Sequence, residues 1–352
     1  MSVTGASNPE YVTARVRARR SALFEEEDYR KLVRMGPGGV ARFMEESEYE
    51  LEINELGARH SGVDLIEFAL ERNLAKNFHD LLKWSDGKLH DLIARYLRRY
   101  DVWNIKTVVR GVYTGATVEE IVPDLILAGE LPESRLESMA AAEDVRGVLD
   151  HLDGTRYYQP LLDAYESFED EGVLVPLENA IDRAFYAHLL SDLSVSEPFE
   201  GPMGKYVEFL QAEIDFRNVR NALRLSRSGA DLDPAEYAIE GGRLFSGREL
   251  AQLVANPDEL VARIRDSVYG SDLDHALTDL EEADSLIAFE HALDSVLLAY
   301  TTRLGNVYPV SITTIFSYIL AKEREVDNIR AIARGKEAGL DQTQIEEELV
   351  IA

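Results

Sequence analysis

The side chains that could carry chemistry are plentiful in this sequence, but few stand at spacings that chemistry uses. A phosphate-binding loop needs Gly, four residues, then Gly-Lys-Ser/Thr. Gly204-Lys205 is followed by Tyr206, with Phe199 where the first Gly should be; Gly87-Lys88 is followed by Leu89 and Gly335-Lys336 by Glu337. Met35-Gly36-Pro37-Gly38-Gly39 is too short for a dinucleotide fingerprint and reads as a turn. None of the seven histidines forms a metal-binding HExxH or HxH pattern, and His188 and His291, on or beside apolar helical stripes, read as packed side chains. No Gly-x-Ser-x-Gly elbow occurs. The absence of cysteine removes disulfides, thiolate zinc sites, iron–sulfur clusters and a thiol nucleophile together. The acid runs Glu25–Asp28, Glu45–Glu52 and Glu346–Glu348 read as solvated faces. The one basic cluster, Arg15, Arg17, Arg19 and Arg20, lacks interleaved aromatics and reads as pairing with acids, within the protein or across an interface. The expectation is therefore no catalytic, cofactor-binding or metal-binding residue.

What does recur at fixed spacing is structural. An acid, an Asn three residues later, a base two beyond it and an Arg six beyond it appear three times. The sets are Asp101, Asn104, Lys106, Arg110; Asp215, Asn218, Arg220, Arg224; and Glu325, Asn328, Arg330, Arg334. A second motif lies upstream of each: Glu67-Phe-Ala69-Leu70-Glu71, Glu178-Asn-Ala180-Ile181-Asp182 and Glu290-His-Ala292-Leu293-Asp294. A weaker third one contains Leu23-Phe24, Leu131 with Leu136, and Leu244-Phe245. The Asn residues are 218 − 104 = 114 and 328 − 218 = 110 apart. Three motifs in one order define a repeat of about 110 residues, the size of a small domain. The expected division is 1–120, 121–232 and 233–352, the last unit being truncated after its Asn helix.

The elements that carry these motifs are helical by their periodicity: apolar residues recur at three and four through Ala69–Leu82, Leu177–Leu189 and Phe289–Tyr300. Positions one, four and five after each Asn are also apolar, which lays a core stripe beside the Asn and the two bases on a shared flank. The fold class expected is all-α, three similar helical units packed about a pseudo-threefold axis. Asn is a poor residue inside a helix, so its threefold use suggests a side-chain hydrogen bond joining neighbouring helices; the other reading is that the Asn helices line a binding surface.

Bulk properties agree with a folded chain and limit its partners. Apolar residues make up 45% of the sequence, and the net charge is −28, from 65 acids against 37 bases. Such a field repels phosphate backbones and argues against nucleic acid. Only eight of the 37 bases are Lys; a surface rich in acid and poor in Lys suits a cytoplasm at molar salt. Residues Val307–Ala321 form the longest apolar stretch, interrupted by Ser and Thr and followed by Lys-Glu-Arg-Glu. At 15 residues it is shorter than the roughly 20 needed to span a bilayer and reads as a buried core helix. The N-terminal residues hold no apolar leader segment.

Three features together resemble the family of C subunits of archaeal A-type ATP synthases and the related d subunits of vacuolar-type ATPases. They are the run Tyr11–Leu23 followed by Asp28-Tyr29-Arg-Lys-Leu32, the Asn motifs at 104, 218 and 328, and the closing Glu323–Lys336. The resemblance runs from about residue 9 to the end. It implies an all-helical funnel of three domains with no cofactor and no catalytic site. It further implies one copy per complex, a peripheral place on the cytoplasmic face of the membrane, and a seat between the proteolipid rotor ring and the D and F subunits of the central stalk. A free-standing acidic scaffold, or a helical metal-dependent enzyme using scattered carboxylates, are the other classes the residues leave open.

The charge yields a test. The Debye length shrinks from about 30 Å at 0.01 M salt to about 3 Å at 1 M. Helical content and melting temperature are expected to rise across that range. A melting temperature that stays flat or falls counts against adaptation to high salt.

Overall fold

The computed structural model describes residues 7–191, 193, 201–228, 234–283 and 286–350; Phe199 and the boundary expected near residue 232 fall outside these. Among the described residues the ordered elements are helices and turns, with no strand, so the chain is all-α. The apolar stripes read from the sequence are the buried faces. Ile66, Ala69, Leu70, Leu74, Phe78 and Leu81 are buried along the helix Gly62–Trp84. Each Asn motif lies inside a long helix, Arg99–Thr114, Gly201–Ser228 or Ile312–Glu337. The residues one, four and five past each Asn (Ile105, Val108, Val109; Val219, Ala222, Leu223; Ile329, Ile332, Ala333) are all 2% exposed or less.

Two local expectations change. The stretch Val307–Ala321 is not one helix. The helix Leu286–Val307 ends there, a turn follows, and the helix Ile312–Glu337 starts with Ser311 as its N-cap. Pro309 explains the break, because it has no N–H for the helical ladder. Val307 and Val310 at the turn are exposed, whereas residues 311–320 are buried without interruption. Likewise, Gly36 is the N-cap of the helix Pro37–Glu45, so only the first half of the glycine-rich pentad is a turn; Pro37 starts the helix, where its missing N–H costs nothing.

The chain forms two compact units, one chiefly Glu71–Asp192 and the other Pro9–Leu70 with Leu193–Ala352. In the first, the helix Arg99–Thr114 packs on Glu133–Ala140, Val145–Asp150 and Val175–Leu189. In the second, the helix Ile312–Glu337 is the hub. It packs along Leu286–Val307, against Gly201–Ser228, and against the early helices Pro9–Arg20, Glu26–Leu32 and Pro37–Glu45. The last long helix is thus built into the same core as the first residues of the chain.

The segment after an Asn helix follows a common plan. Capping boxes begin thirteen residues past Asn104 and Asn328, at Thr117–Glu120 and Asp341–Gln344. Ile121 and Ile345, seventeen past, lie against Gly111 and Gly335, seven past, where any Cβ would collide with them. The last residues therefore repeat the segment that follows the first Asn helix. Farther on, the backbone returns so close to the Asn helix that a Cβ on Gly129 would overlap the Asp101 carboxylate, and one on Gly242 that of Asp215.

Gly129→Ala and Gly242→Ala should each destabilise the fold by about 1–3 kcal/mol through this overlap. Gly38→Ala, whose Cβ meets nothing within 4 Å, should be neutral or stabilising by up to about 1 kcal/mol. Denaturant melts at constant high salt measure the difference; three equal variants would contradict the close approach.

Candidate functional site

The three Asn side chains are the most uniformly used polar groups in the structure. Asn104 Nδ2 donates to the Ile126 carbonyl and its Oδ1 accepts from the Ile126 N–H, both at 2.8 Å. Asn218 makes the same pair with Ile239, both at 2.9 Å. Asn328 makes it with Val350, both at 2.9 Å. All three amides are buried. The partner residue stands 22, 21 and 22 positions downstream (126 − 104, 239 − 218, 350 − 328) and belongs to no helix. The expected helix-to-helix bond is thus a bond from helix to non-helical backbone. A residue outside helix and sheet has an N–H and a C=O to satisfy, and a primary amide offers the matching acceptor and donor; the Ile126 carbonyl accepts from the Ala128 N–H as well, at 2.8 Å.

The acid three residues before each Asn holds a second stretch of backbone. Asp101 Oδ1 accepts from Leu131 N–H at 2.8 Å. Asp215 Oδ1 accepts from Arg243 N–H at 2.8 Å and Leu244 N–H at 2.9 Å. Glu325 Oε2 accepts from Phe24 N–H at 2.6 Å. Leu131, Leu244 and Phe24 are the opening residues of the repeats, so the last acid grips the first opening. Burial pushes the Asp101 carboxyl up to about 6, against the lowering effect of the backbone N–H groups at Leu131 and Glu130. Burial raises Asp215 in the same way, opposed by Leu244, Tyr269 and Arg243.

A tyrosine that sequence reading missed completes the set. Tyr269 donates to Asp215 Oδ2 at 2.9 Å and Tyr49 to Glu325 Oε1 at 2.7 Å. Tyr157 lies in the field of Asp101, although its buried hydroxyl has no hydrogen-bond partner among the described residues. Each follows a hydroxyl residue by two, and its N–H donates to that oxygen: Ser47 at 3.3 Å, Thr155 at 3.3 Å and Ser267 at 3.2 Å. The findable signal was this hydroxyl-x-Tyr at spacings of 157 − 49 = 108 and 269 − 157 = 112.

Both bases of the first two motifs, and Arg334 of the third, tie the Asn helix to a Glu-x-Ala helix. Arg110 reaches Glu178 with two bonds at 2.5 and 2.8 Å, and Arg224 reaches Glu290 at 2.7 and 2.6 Å. Arg334 pairs with Glu67, so the last repeat again meets the first. These arginines are more than half exposed, and their pairs orient helices more than they stabilise them. Lys106 meets Asp182 at 2.6 Å and Arg220 meets Asp294 at 2.9 Å, while Arg330 lies 3.4 Å from Asp327 on its own helix.

Elsewhere the polar clusters are structural as well. Arg17 donates to the Pro309 carbonyl at 3.0 Å, and Arg20 donates to Ser317 and Thr302 hydroxyls at 2.5 and 3.2 Å. The basic cluster is thus spent partly on carbonyl and hydroxyl oxygens rather than on the expected acids. Among the acid runs, Glu52 is 1% exposed, so that run is not wholly a solvated face. His188, half-buried, meets Arg98 Nη1 through Nε2 at 2.7 Å; burial first, then Arg156, Arg98 and Arg95, lowers it to about 4 and keeps it neutral as an acceptor. Among the described residues no group of His, Asp and Glu could hold a metal ion, and no helix is long and apolar enough to cross a membrane.

Residues 12–348 match the sequence family described as ATP synthase (C/AC39) subunit. The C subunit of the A-type ATP synthase of Haloferax volcanii is 64% identical over 351 residues, covering all of both chains. That of Halobacterium salinarum is 52% identical over 351 residues with the same coverage. That of Methanosarcina acetivorans is 37% identical over 349 residues, 99% of this chain and 94% of its own. The greater identity to the two salt-loving archaea agrees with the acid-rich composition.

The raised Asp101 carboxyl predicts a pH effect with a definite sign. A carboxyl whose folded value lies above its unfolded one, about 6 against 3.8, favours folding below 3.8 and loses that contribution as pH rises through 6. Asp101→Asn removes the titration. The stability of the natural protein relative to this variant should therefore fall between pH 4 and pH 7, by up to about 3 kcal/mol. A difference constant with pH, measured by denaturant melts, would show that Asp101 is not raised.

Proposed function

Because the chain belongs to the family of ATP synthase C/AC39 subunits, we propose that it is the non-catalytic coupling piece of a rotary A-type synthase. It joins the proteolipid rotor ring to the D and F subunits of the central stalk, so that rotation driven by an ion gradient reaches the catalytic head. It sits as a single peripheral copy on the cytoplasmic face of the membrane. It binds no nucleotide, nucleic acid or cofactor of its own.

The observation that carries this reading is cyclic closure. The Asn helix of the first repeat reaches forward to Leu131 and Glu178, that of the second to Leu244 and Glu290, and that of the third back to Phe24 and Glu67. With unit boundaries at about 120 and 232, these contacts run from each repeat to the next and from the last to the first, a pattern that favours a closed funnel about a pseudo-threefold axis. A closed ring would resist twisting better than an open row, because in a ring every unit is held on both sides. The twelve motif residues Asp101, Asn104, Lys106, Arg110, Asp215, Asn218, Arg220, Arg224, Glu325, Asn328, Arg330 and Arg334 are its fastenings rather than a site of chemistry.

Defects in such a piece should be defects of coupling. Asn328→Leu leaves the Val350 N–H and C=O buried without partners, at a cost of about 1–3 kcal/mol. Ion-driven ATP synthesis in vesicles should fall, while ATP hydrolysis by the detached catalytic head persists. Asn104→Leu and Asn218→Leu should behave alike. Hydrolysis by the purified head falling in step with synthesis would mean that this chain takes part in catalysis. Unchanged synthesis in a destabilised variant would remove it from the torque path.

A further inference from the structure

The turn that leads from the Glu-x-Ala helix to the Asn helix carries charge in two repeats and none in the third. Counted back from each Asn, position 18 is Asp86, Glu200 and Val310 (104 − 86, 218 − 200, 328 − 310), and position 21 is Lys83, Glu197 and Val307. Glu197 and Glu200 lie outside the described residues. In the first repeat Lys83 and Asp86 are exposed, at the turn between the helices Gly62–Trp84 and Gly87–Leu97. In the third repeat the same two places are Val307, 63% exposed, and Val310, 47% exposed, with Pro309 exposed between them. A single exposed valine needs no explanation. Two beside a proline, where the other repeats place charge, make an apolar tip on a turn, and turns are ordinarily polar.

The charge along this tip runs against that of the whole molecule. Ser295–Lys322 is the longest stretch of the sequence without an acid, 28 residues where a composition of 65 acids in 352 would place about five. Tyr11–Phe24 is acid-free as well and holds Arg15, Arg17, Arg19 and Arg20. The two stretches meet at the turn. Exposed Arg17 donates to the Pro309 carbonyl at 3.0 Å, and Arg20 donates to the Ser317 and Thr302 hydroxyls. Neutral oxygens thus hold both guanidinium groups beside the tip, and neither makes an ion pair among the described residues. Arg303, one turn before Val307 on the same helix, is 62% exposed and lies 3.4 Å from Asp272. A chain of net charge −28 therefore presents its longest acid-free stretch, flanked by arginine, at its apolar turn.

We propose that this turn touches the surface of an anionic bilayer, with Val307, Pro309 and Val310 entering the headgroup layer and Arg17 meeting lipid phosphate. Charge complementarity selects this occupant. Anionic headgroups repel an acid-rich surface and attract the Arg-bearing turn. A guanidinium has five donors, and Arg17 gives one to Pro309, so donors remain for a phosphate oxygen. At molar salt the Debye length is about 3 Å, so this attraction acts only at contact. Burial of the apolar tip, which salt does not screen, supplies the rest. The contact is weak alone and is effective because the complex already holds the chain at the membrane. The inference rests on membership of a membrane-associated complex and not on torque transmission, so its failure leaves the coupling role untouched.

The test uses the assembled complex in its own membranes. The chain has no cysteine, so Val310→Cys or Val307→Cys takes a benzophenone label at one place. Leu340→Cys is the control. Leu340 is 39% exposed and follows the far end of the helix Ile312–Glu337, whose 26 residues span about 39 Å. After illumination, mass spectrometry identifies what each label has joined, and a native gel confirms assembly. Adducts with anionic lipid are expected at 310 and 307, at least about fivefold above those at 340. Adding Arg17→Gln to Val310→Cys should lower them about threefold. Adducts chiefly with another subunit would assign the turn to a protein partner and overturn the proposal. So would lipid labelling as strong at 340 as at 310, lipid labelling indifferent to Arg17→Gln, or no adduct at either valine position in assembled, labelled complex.

Discussion

Everything in this fold hangs on an amide that substitutes for a strand. A backbone residue that leaves a helix and lies buried outside any helix needs a donor for its carbonyl and an acceptor for its N–H, and an all-helical protein has no neighbouring strand to supply them. The side chains of Asn104, Asn218 and Asn328 supply both at once, to Ile126, Ile239 and Val350. The poor intrinsic fit of Asn inside a helix is offset because buried backbone groups would otherwise go unpaired: the N–H of each partner residue and the carbonyls of Ile239 and Val350, that of Ile126 accepting also from Ala128 N–H. Once this segment is pinned, the residues that follow Ile126 and Ile239 are delivered to the acid one turn earlier on the same helix, Asp101 or Asp215.

This device also explains why the end of the chain can meet its beginning. The acid and the Arg of a motif never act on their own upstream residues. They act on the opening and the Glu-x-Ala helix of the following repeat, and the third motif finds those in the first. Phe24, Tyr49 and Glu67 complete the last Asn helix as Leu131 and Glu178 complete the first. The backbone-binding groups are nearly invariant across the three repeats, whereas the residue three positions before each acid varies from Arg98 to Ala212 to Lys322. Hydrogen bonds to backbone define the scaffold, and the side chains around them give each unit its own surface.

The sequence by itself determined the helical class, the repeat of about 110 residues, the buried stripe beside each Asn and the family, since periodicity and spacing are properties of a linear string. It could show that the Asn recurs, but not what the amide holds, because the partner is backbone and backbone carries no sequence signature. Gly129 and Gly242 were silent for a related reason: their constraint is the nearness of a carboxylate 27 or 28 residues back (242 − 215 = 27, 129 − 101 = 28). Tyr49, Tyr157 and Tyr269 were visible as a weak spacing but had no meaning without the acid they face. Spacing along the chain fixed which residues repeat; tertiary packing, which brings a helix against backbone some twenty to thirty residues away, decided what each repetition does.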